Sequence, residues 1–384
     1  MKILMLAPEP FFEPRGTPIS VYFRILVLGE LGHTVHLATY PLGQDVSLKN
    51  LKIIRPPNLF FIRAVKIGPS LTKIPLDFLL LLRTAFELAA NHYDIIFSHE
   101  EAAFIGTVLA RIWAKPHIYD MHSSLPQQLE NFKFTRSAFL ISLFKRMEDF
   151  VLRNSRTVIV ICQDLLEKVA QSGYGRKAIL IENFLDVPSQ EFSAEEICRK
   201  KKELAPHGER IVLYAGNFEP YQGIPLLLEA ARSVREKTIF LLVGGRGTAL
   251  GEMKEIAEKL GLQERTVFVE RVPPSQVPLY VSLADVLVSP RLAGTNTPLK
   301  IYSFLKSGKP LVATNLWTHT QVLNPANAIL AEPDARSLAD AISFALNSEE
   351  ARSRARAAAE WAQKEFTLQR YLEKIAQVLD KAKS

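Results

Sequence analysis

A chain of 384 residues is longer than one ordinary hydrophobic core supports, so two domains are expected. Its 48% hydrophobic and 23% charged content is globular, and two cysteines exclude a disulfide framework or a cysteine metal cluster and fit a reducing cytoplasm. A net charge of +7 favours an anionic partner, either a phosphate-bearing ligand or an acidic membrane surface; nucleic acid is not expected, because no aromatic-plus-basic recognition motif or zinc-finger spacing occurs.

The first apolar run, Lys2–Ala7, reads as a buried strand and is too short for a signal-peptide core before Glu9. No stretch reaches the roughly 18 apolar residues of a membrane span. Pro14-Arg15-Gly16-Thr17-Pro18 follows as a strand-to-helix turn with one glycine, so it is no G-x-G-x-x-G fingerprint, which argues against a nicotinamide or flavin enzyme. A helix over Thr17–Leu31 and a strand over Thr34–Thr39 come next. Phe60 to Lys73 mixes Phe60, Phe61 and Ile62 with Arg63, Lys66 and Lys73, and leads into a leucine-rich helix, Leu76–Ala90. Strands at Asp94–Phe97 and Pro116–Tyr119 precede Asp120-Met121-His122-Ser123. A histidine at a strand's carboxyl end can hydrogen-bond a polyhydroxylated ligand, act as acid or base, or simply pack. Phe132 to Arg146 again pairs phenylalanines and leucines with basic residues. Both stretches read as an interfacial membrane face or as core helices with a solvated basic edge. The strand Thr157–Ile161 leads to Cys162, read as a buried structural thiol.

A domain boundary is placed near Pro188, ahead of a polar helix starting at Ser193. A second series of strands follows: Ile211–Tyr214, Thr238–Val243, Thr266–Val269, Val286–Ser289 and Pro310–Ala313. Apolar strands without alternation, separated by helices, indicate parallel sheets covered on both faces. Polar glycine-bearing loops stand at three strand ends: Gly216 to Gly223, Gly244 to Gly247 with Arg246, and Arg291 to a helix opened by Pro298. Together with the first turn they make the case for one interdomain cleft lined by loops. From Asp334 to Lys383 three helices are expected: Ala335–Leu346, Ser348–Phe366 and Thr367–Ala382. P-loop, nucleophile-elbow and H-E-x-x-H motifs are absent, as is a D-x-D metal pair, so no protein-held metal is expected.

VLYAGNFEPYQGIPLLLEAARSV, VPLYVSLADVLVSPRLAGTNTPLKIYSFLKSGKPLVAT and the tail EFTLQRYLEKIAQVL resemble the family 4, group 1 retaining glycosyltransferases over nearly the whole chain. The resemblance implies an α/β GT-B fold: two doubly wound, Rossmann-like parallel-sheet domains facing a cleft. Residues 1–187 would form the acceptor-side domain, 188–364 the donor-binding domain, and 365–384 a C-terminal helix packing back on the first domain. It implies a nucleotide diphosphate sugar (UDP- or GDP-linked) as co-substrate, no cofactor or metal, and a glycan or lipid-linked acceptor. The setting implied is the cytoplasm, peripheral to an anionic inner membrane face. Of the site residues, Gly16 and Thr17 would lie near the donor phosphates and His122 would touch the transferred sugar as the catalytic candidate. Gly294, Thr295, Asn296, Thr297, Pro298 and Leu299 would contact sugar and diphosphate. The chain departs from the family pattern at three positions: the clamp arginine is Asn217, the clamp lysine is Gln222 and the ribose-binding glutamate is Ser303. Arg15, Arg246, Arg291 and Lys300 are candidates for the missing charge, and Glu219 and Glu270 are spare carboxylates better read as solvated loop acids. The departures also motivate a second reading, a catalytically impaired GT-B protein that binds sugar nucleotides or serves as a partner subunit. A GT-B epimerase or phosphorylase is a third; no lysine context suggests pyridoxal phosphate.

Overall fold

The computed structural model describes residues 1–12, 16–59, 62, 65, 70, 72–124, 126–127, 137–182 and 191–383. It divides into two units, Met1–Asn183 with Leu368–Ser384, and Phe184–Thr367. The expected boundary at Pro188 lies outside the described residues.

In the first unit seven parallel strands are ordered β3-β2-β1-β4-β5-β6-β7. They are β1 (Lys2–Ala7), β2 (Thr34–Thr39), β3 (Leu51–Ile54), β4 (Ile95–His99), β5 (His117–Met121), β6 (Thr157–Val160) and β7 (Ala178–Leu180). The central strands β4, β5 and β6 are buried at every position, which is why they read as unbroken apolar runs. β5 extends two residues beyond the expected strand, so Asp120 and Met121 belong to the sheet. The helices are α1 (Gly16–Glu30), α2 (Lys73–Ala90), α3 (Ala102–Ile112), α4 (Ala138–Asn154) and α5 (Gln163–Gln171). Cys162, at the residue before α5, is buried as expected.

α2 buries Leu76, Leu80, Thr84, Glu87 and Leu88, while Ile74, Phe78, Leu82 and Phe86, every fourth residue, are half or more exposed. α4 starts with Phe139, Leu140 and Leu143 exposed beside exposed Lys145 and Arg146. Lys73 does not join this basic set, since its ammonium pairs with Glu101 at 2.5 Å. Phe60, Phe61, Arg63, Lys66 and the segment 128–136 lie outside the described residues.

The second unit opens with α6 (Ala194–Leu204), whose start carries a reciprocal cap between Ser193 and Glu196. Its six parallel strands are ordered β10-β9-β8-β11-β12-β13. They are β8 (Arg210–Ala215), β9 (Thr238–Gly245), β10 (Thr266–Glu270), β11 (Val286–Ser289), β12 (Leu311–Thr314) and β13 (Ile329–Ala331). Around them stand α7 (Ile224–Ala231), α8 (Gly247–Lys259), α9 (Val277–Leu283), α10 (Lys300–Lys306), α11 (Trp317–Thr320), α12 (Ala335–Asn347) and α13 (Glu349–Glu365). The core is built from Val212, Tyr214, Phe240, Leu242, Val286 and Val288 of the sheet against Leu227, Leu228, Leu338 and Ile342 of the helices. α10 begins at Lys300, two residues later than the expected opening at Pro298.

The final helix, α14 (Leu368–Lys383), returns to the first unit and packs on α1, β5 and β6. Tyr371, Ile375, Val378 and Leu379 are its buried face, and Lys374 pairs with Glu182 at 2.9 Å.

Candidate functional site

In each sheet the strand order reverses beside the unit's first strand, between β1 and β4 and between β8 and β11. Loops leaving the carboxyl ends of such a strand pair run in opposite directions and open a crevice, where ligands of open α/β sheets bind. Two of the expected loops of the second unit fall at this reversal, 216–223 after β8 and 291–298 after β11, while Arg246 follows the neighbouring strand β9.

Backbone approaches backbone closely here. Gly244, at the end of β9, has φ +118°, and a Cβ on it would stand 2.3 Å from the Gly216 carbonyl oxygen. Gly223 has φ +72°, and its Cβ would stand 1.9 Å from the Pro290 carbonyl oxygen. Any side chain at either position would drive the loops apart. The Leu292 N–H donates to the Tyr221 carbonyl at 2.8 Å, and the Tyr214 hydroxyl to the Asn217 carbonyl at 2.6 Å.

The candidate cations behave differently from one another. Arg291 is turned onto its own loop: Nε donates to the Ala293 carbonyl at 2.7 Å and a terminal nitrogen to the Asn296 carbonyl at 3.2 Å, with the guanidinium over the Tyr221 ring and over Gly294. It therefore shapes the loop, with its charge held there against the Tyr221 ring. Arg246 is exposed at the start of α8. Lys300 keeps a partly exposed stem but a buried ammonium, 3.8 Å from the centre of the Tyr214 ring. Among the described residues that ammonium has no hydrogen-bond partner, and burial, then the charge of Arg291, pushes it well below the usual lysine range.

Asn217 and Gln222 hydrogen-bond each other, Nε2 of Gln222 donating to Oδ1 of Asn217 at 3.1 Å. Among the described residues, the buried Oε1 of Gln222 and Oγ1 of Thr297 have no hydrogen-bond partner. The carbonyls of Thr295 and Asn296 are held by Gln321 at 2.6 Å and by the Thr318 hydroxyl at 2.7 Å. Pro298 is buried and Leu299 half-buried. Ser303 is exposed, its hydroxyl donating to the Lys300 carbonyl at 2.9 Å. Glu219 and Glu270 are both exposed.

Sequence reasoning missed His319. It is buried behind the loop, with Nδ1 at 2.9 Å from the Thr314 carbonyl and Nε2 at 2.9 Å from the Ser289 hydroxyl. The ring thus ties the carboxyl ends of β11 and β12 together, and burial lowers it to about 4. No periodicity or motif marks this histidine.

In the first unit Gly16 and Thr17 open α1, with Gly16 exposed at φ +36°; Pro14 and Arg15 lie outside the described residues. His122, just past β5, is only 4% exposed. Its Nε2 lies 3.3 Å from Asp120 Oδ1 and 3.2 Å from His99 Nδ1. Asp120 in turn accepts from Arg24 Nε at 2.7 Å, and Arg24 also donates to the Tyr371 hydroxyl of α14. Burial alone would raise the Asp120 carboxyl, but Arg24, then His122 and His99, hold it well below the usual carboxylate range. Burial lowers His99 to about 3, so it is neutral at neutral pH. His99, Asp120 and His122 are the one group among the described residues whose ligand atoms lie close enough to share a metal ion. The guanidinium of Arg24 already supplies Asp120 with the positive charge a metal would bring. Beside them, burial raises the Glu100 carboxyl, which accepts from the Ser123 hydroxyl at 2.6 Å.

Comparison with known proteins accounts for both units. The family model for glycosyl transferases group 1 matches residues 197–361, and that for glycosyltransferase family 4 matches residues 16–188. A phosphatidyl-myo-inositol mannosyltransferase of Mycobacterium leprae is 25% identical over 362 residues, spanning 92% of this chain and 90% of the relative. An alpha-monoglucosyldiacylglycerol synthase of Streptococcus pneumoniae is 31% identical over 108 residues, 28% of this chain and 24% of the relative. The crystal structure of HepE from Anabaena in complex with UDP matches with a TM-score of 0.76 at 19% identity, covering 99% of this chain and all of HepE. Two parallel doubly wound sheets, with a family model matched to each, place the chain among the group 1, family 4 glycosyltransferases of GT-B fold.

Proposed function

We propose that this glycosyltransferase moves a hexosyl group from a nucleotide diphosphate sugar to a lipid-linked or glycan acceptor, with retention and without a bound metal. The observation that carries the donor reading is the meeting of the loops after β8, β9 and β11, packed backbone on backbone at Gly216, Gly244 and Gly223 and leaving buried polar atoms of Thr297 and Lys300 unpartnered. Such a cradle suits a ligand that is read through main-chain groups and carries negative charge. The complex of HepE with UDP and the mannosyl- and glucosyltransferase names of the relatives support the same reading.

The reaction is a displacement at the anomeric carbon. The bond from that carbon to the diphosphate oxygen breaks, an acceptor hydroxyl oxygen bonds to the same face, and the hydroxyl proton passes to the departing diphosphate. The protein's part is orientation and stabilisation of the leaving charge. His122 is the candidate for contact with the transferred sugar, with Asp120 and His99 fixing its ring.

The acceptor is proposed to be carried on an anionic membrane, because α2 exposes Phe78, Leu82 and Phe86, and α4 exposes Phe139 together with Lys145 and Arg146. No described helix is long and apolar enough to cross a bilayer. The activity is tested by incubating the protein with UDP-, GDP- and ADP-hexoses and membrane lipid extracts and following sugar transfer. A glycolipid or glycan product of retained configuration, formed equally in EDTA, is expected. Donor binding without any turnover would refute the enzyme reading, and an inverted product would refute retention.

A further inference from the structure

Among the described residues, the buried Lys300 ammonium has no hydrogen-bond partner. Its Nζ rests on the face of Tyr214 and lies against Gly216, where an added Cβ would be 3.3 Å away. Among the described residues no carboxylate is recorded acting on it; the charged and titratable neighbours that sense it are Arg291, which repels it, and His319, which it disfavours in the protonated form. The Tyr214 ring offers attraction, yet an uncharged side chain of similar length would pack on that ring without losing hydration. A buried cation left one anion short is a destabilising feature of the free protein, and it becomes favourable when a ligand brings the missing charge.

The position of this cation matters because the two residues standing where such enzymes carry clamp cations, Asn217 and Gln222, are neutral and hydrogen-bond each other. Arg291 already gives two of its donors to carbonyls of its own loop. We propose that Lys300 is the residue that meets the diphosphate of the nucleotide sugar, in place of the clamp cations, with the buried Thr297 hydroxyl of the same loop as a second donor. The proposal rests on the donor reading above. In the reaction, the diphosphate gains negative charge as its bond to the anomeric carbon breaks, and a fixed, dry ammonium favours that state over the intact donor.

The test compares wild type with Lys300→Met and Lys300→Arg, using UDP, GDP, uridine and guanosine in titration calorimetry and thermal melting. Lys300→Met is expected to weaken the preferred diphosphate about 10- to 100-fold, the range for a charge-assisted hydrogen bond. Binding of the matching nucleoside should stay within about twofold, and the melting temperature should rise because the uncompensated charge is gone. Lys300→Arg should keep most of the preference for diphosphate over nucleoside. Undiminished diphosphate binding by Lys300→Met would overturn the assignment and leave the donor reading standing. So would a Lys300→Met that melts lower than wild type, since the ammonium would then be structural, or a Lys300→Arg as weak as the methionine variant. A wild type that binds neither UDP nor GDP would remove the donor reading and this proposal with it.

Discussion

Asp120→Asn is expected to destabilise the first unit by about 3–5 kcal/mol, the cost of leaving one partner of a buried ion pair uncompensated. Arg24 and Asp120 are both 0% exposed, with Nε 2.7 Å from the carboxylate. Nη2 of Arg24 reaches the other Asp120 oxygen at 3.5 Å, Nη1 donates to the Tyr371 hydroxyl, and the guanidinium lies over the Tyr371 ring, so the α14 helix is fastened to the same charge. Asparagine keeps the shape but removes the anion, and among the described residues no second carboxylate is recorded acting on the guanidinium. Trp113 reports this unit and Trp317 and Trp361 the other, so urea unfolding followed by fluorescence in a Trp317→Phe, Trp361→Phe background isolates the effect. At a slope of about 2 kcal/mol per molar urea, the midpoint should fall by about 2 M. Arg24→Met alone should cost a similar amount at neutral pH, while Arg24→Met with Asp120→Asn should recover most of the loss.

The pH dependence of Arg24→Met provides a second check. In wild type the Asp120 carboxyl lies below its unfolded value of about 3.9, so its stabilisation is complete above that pH and is lost only in strong acid. Without Arg24, burial is largely unopposed and the carboxyl rises above its unfolded value. The folded variant then binds the extra proton, so its deficit should shrink as pH falls from 8 to 5. Equal deficits at both pH values, or a double variant no more stable than either single one, would refute the account of Arg24 and Asp120 as a coupled pair.

Four further outcomes are expected. His319 lies at about 4 when folded and near 6.5 when unfolded, so the unfolded state binds more protons between these values and stability falls with pH by about 1.4 kcal/mol per unit. Unit 2 of His319→Gln should lack that slope between pH 6.5 and 4.5 in urea melts. Gly244→Ala should destabilise unit 2 by roughly 2 kcal/mol or more, from the φ of +118° and the Gly216 carbonyl in its way, and calorimetry should record weaker UDP or GDP binding. Ser303→Glu, at an exposed position, should leave the melting temperature unchanged and strengthen nucleotide-sugar binding; weaker binding would mean a ribose pocket rebuilt around serine. Wild type should sediment with anionic liposomes in preference to neutral ones, and Phe78→Ser with Phe86→Ser should reduce this; equal, negligible binding to both would refute the membrane face.

The two sheets are legible in the chain because their central strands are buried on both faces and therefore read as unbroken apolar runs. The edges are not. Leu51–Ile54 and Ala178–Leu180 are short and half-exposed, and Ile329–Ala331 is three residues long, so they carry too little apolar signal to separate from loops. The loops of the candidate site are legible through their glycines and their place after strands. Their side-chain chemistry is less so. Arg24 looks like the polar side of an amphipathic helix, since its partners lie 96 and 347 residues away. Arg291 looks like a free charge until its loop folds back and presents carbonyls to it.

Ser303 and Lys300 show why the three departures in the donor loops carry unequal weight. Ser303 is exposed, so folding places no constraint on what stands there, and its identity speaks only to the ligand. Asn217 and Gln222 close on each other, so the loss of two cations leaves no unpaired charge behind. Lys300 is the opposite case: its charge opposes folding where it lies, and nothing in the surrounding core needs it. A group that weakens the free protein and is matched only by an incoming anion points to binding more directly than the neutral residues point away from it. If Lys300 meets the diphosphate as proposed, the charge of the donor site has moved from the 216–223 loop to the start of α10 and has not been lost.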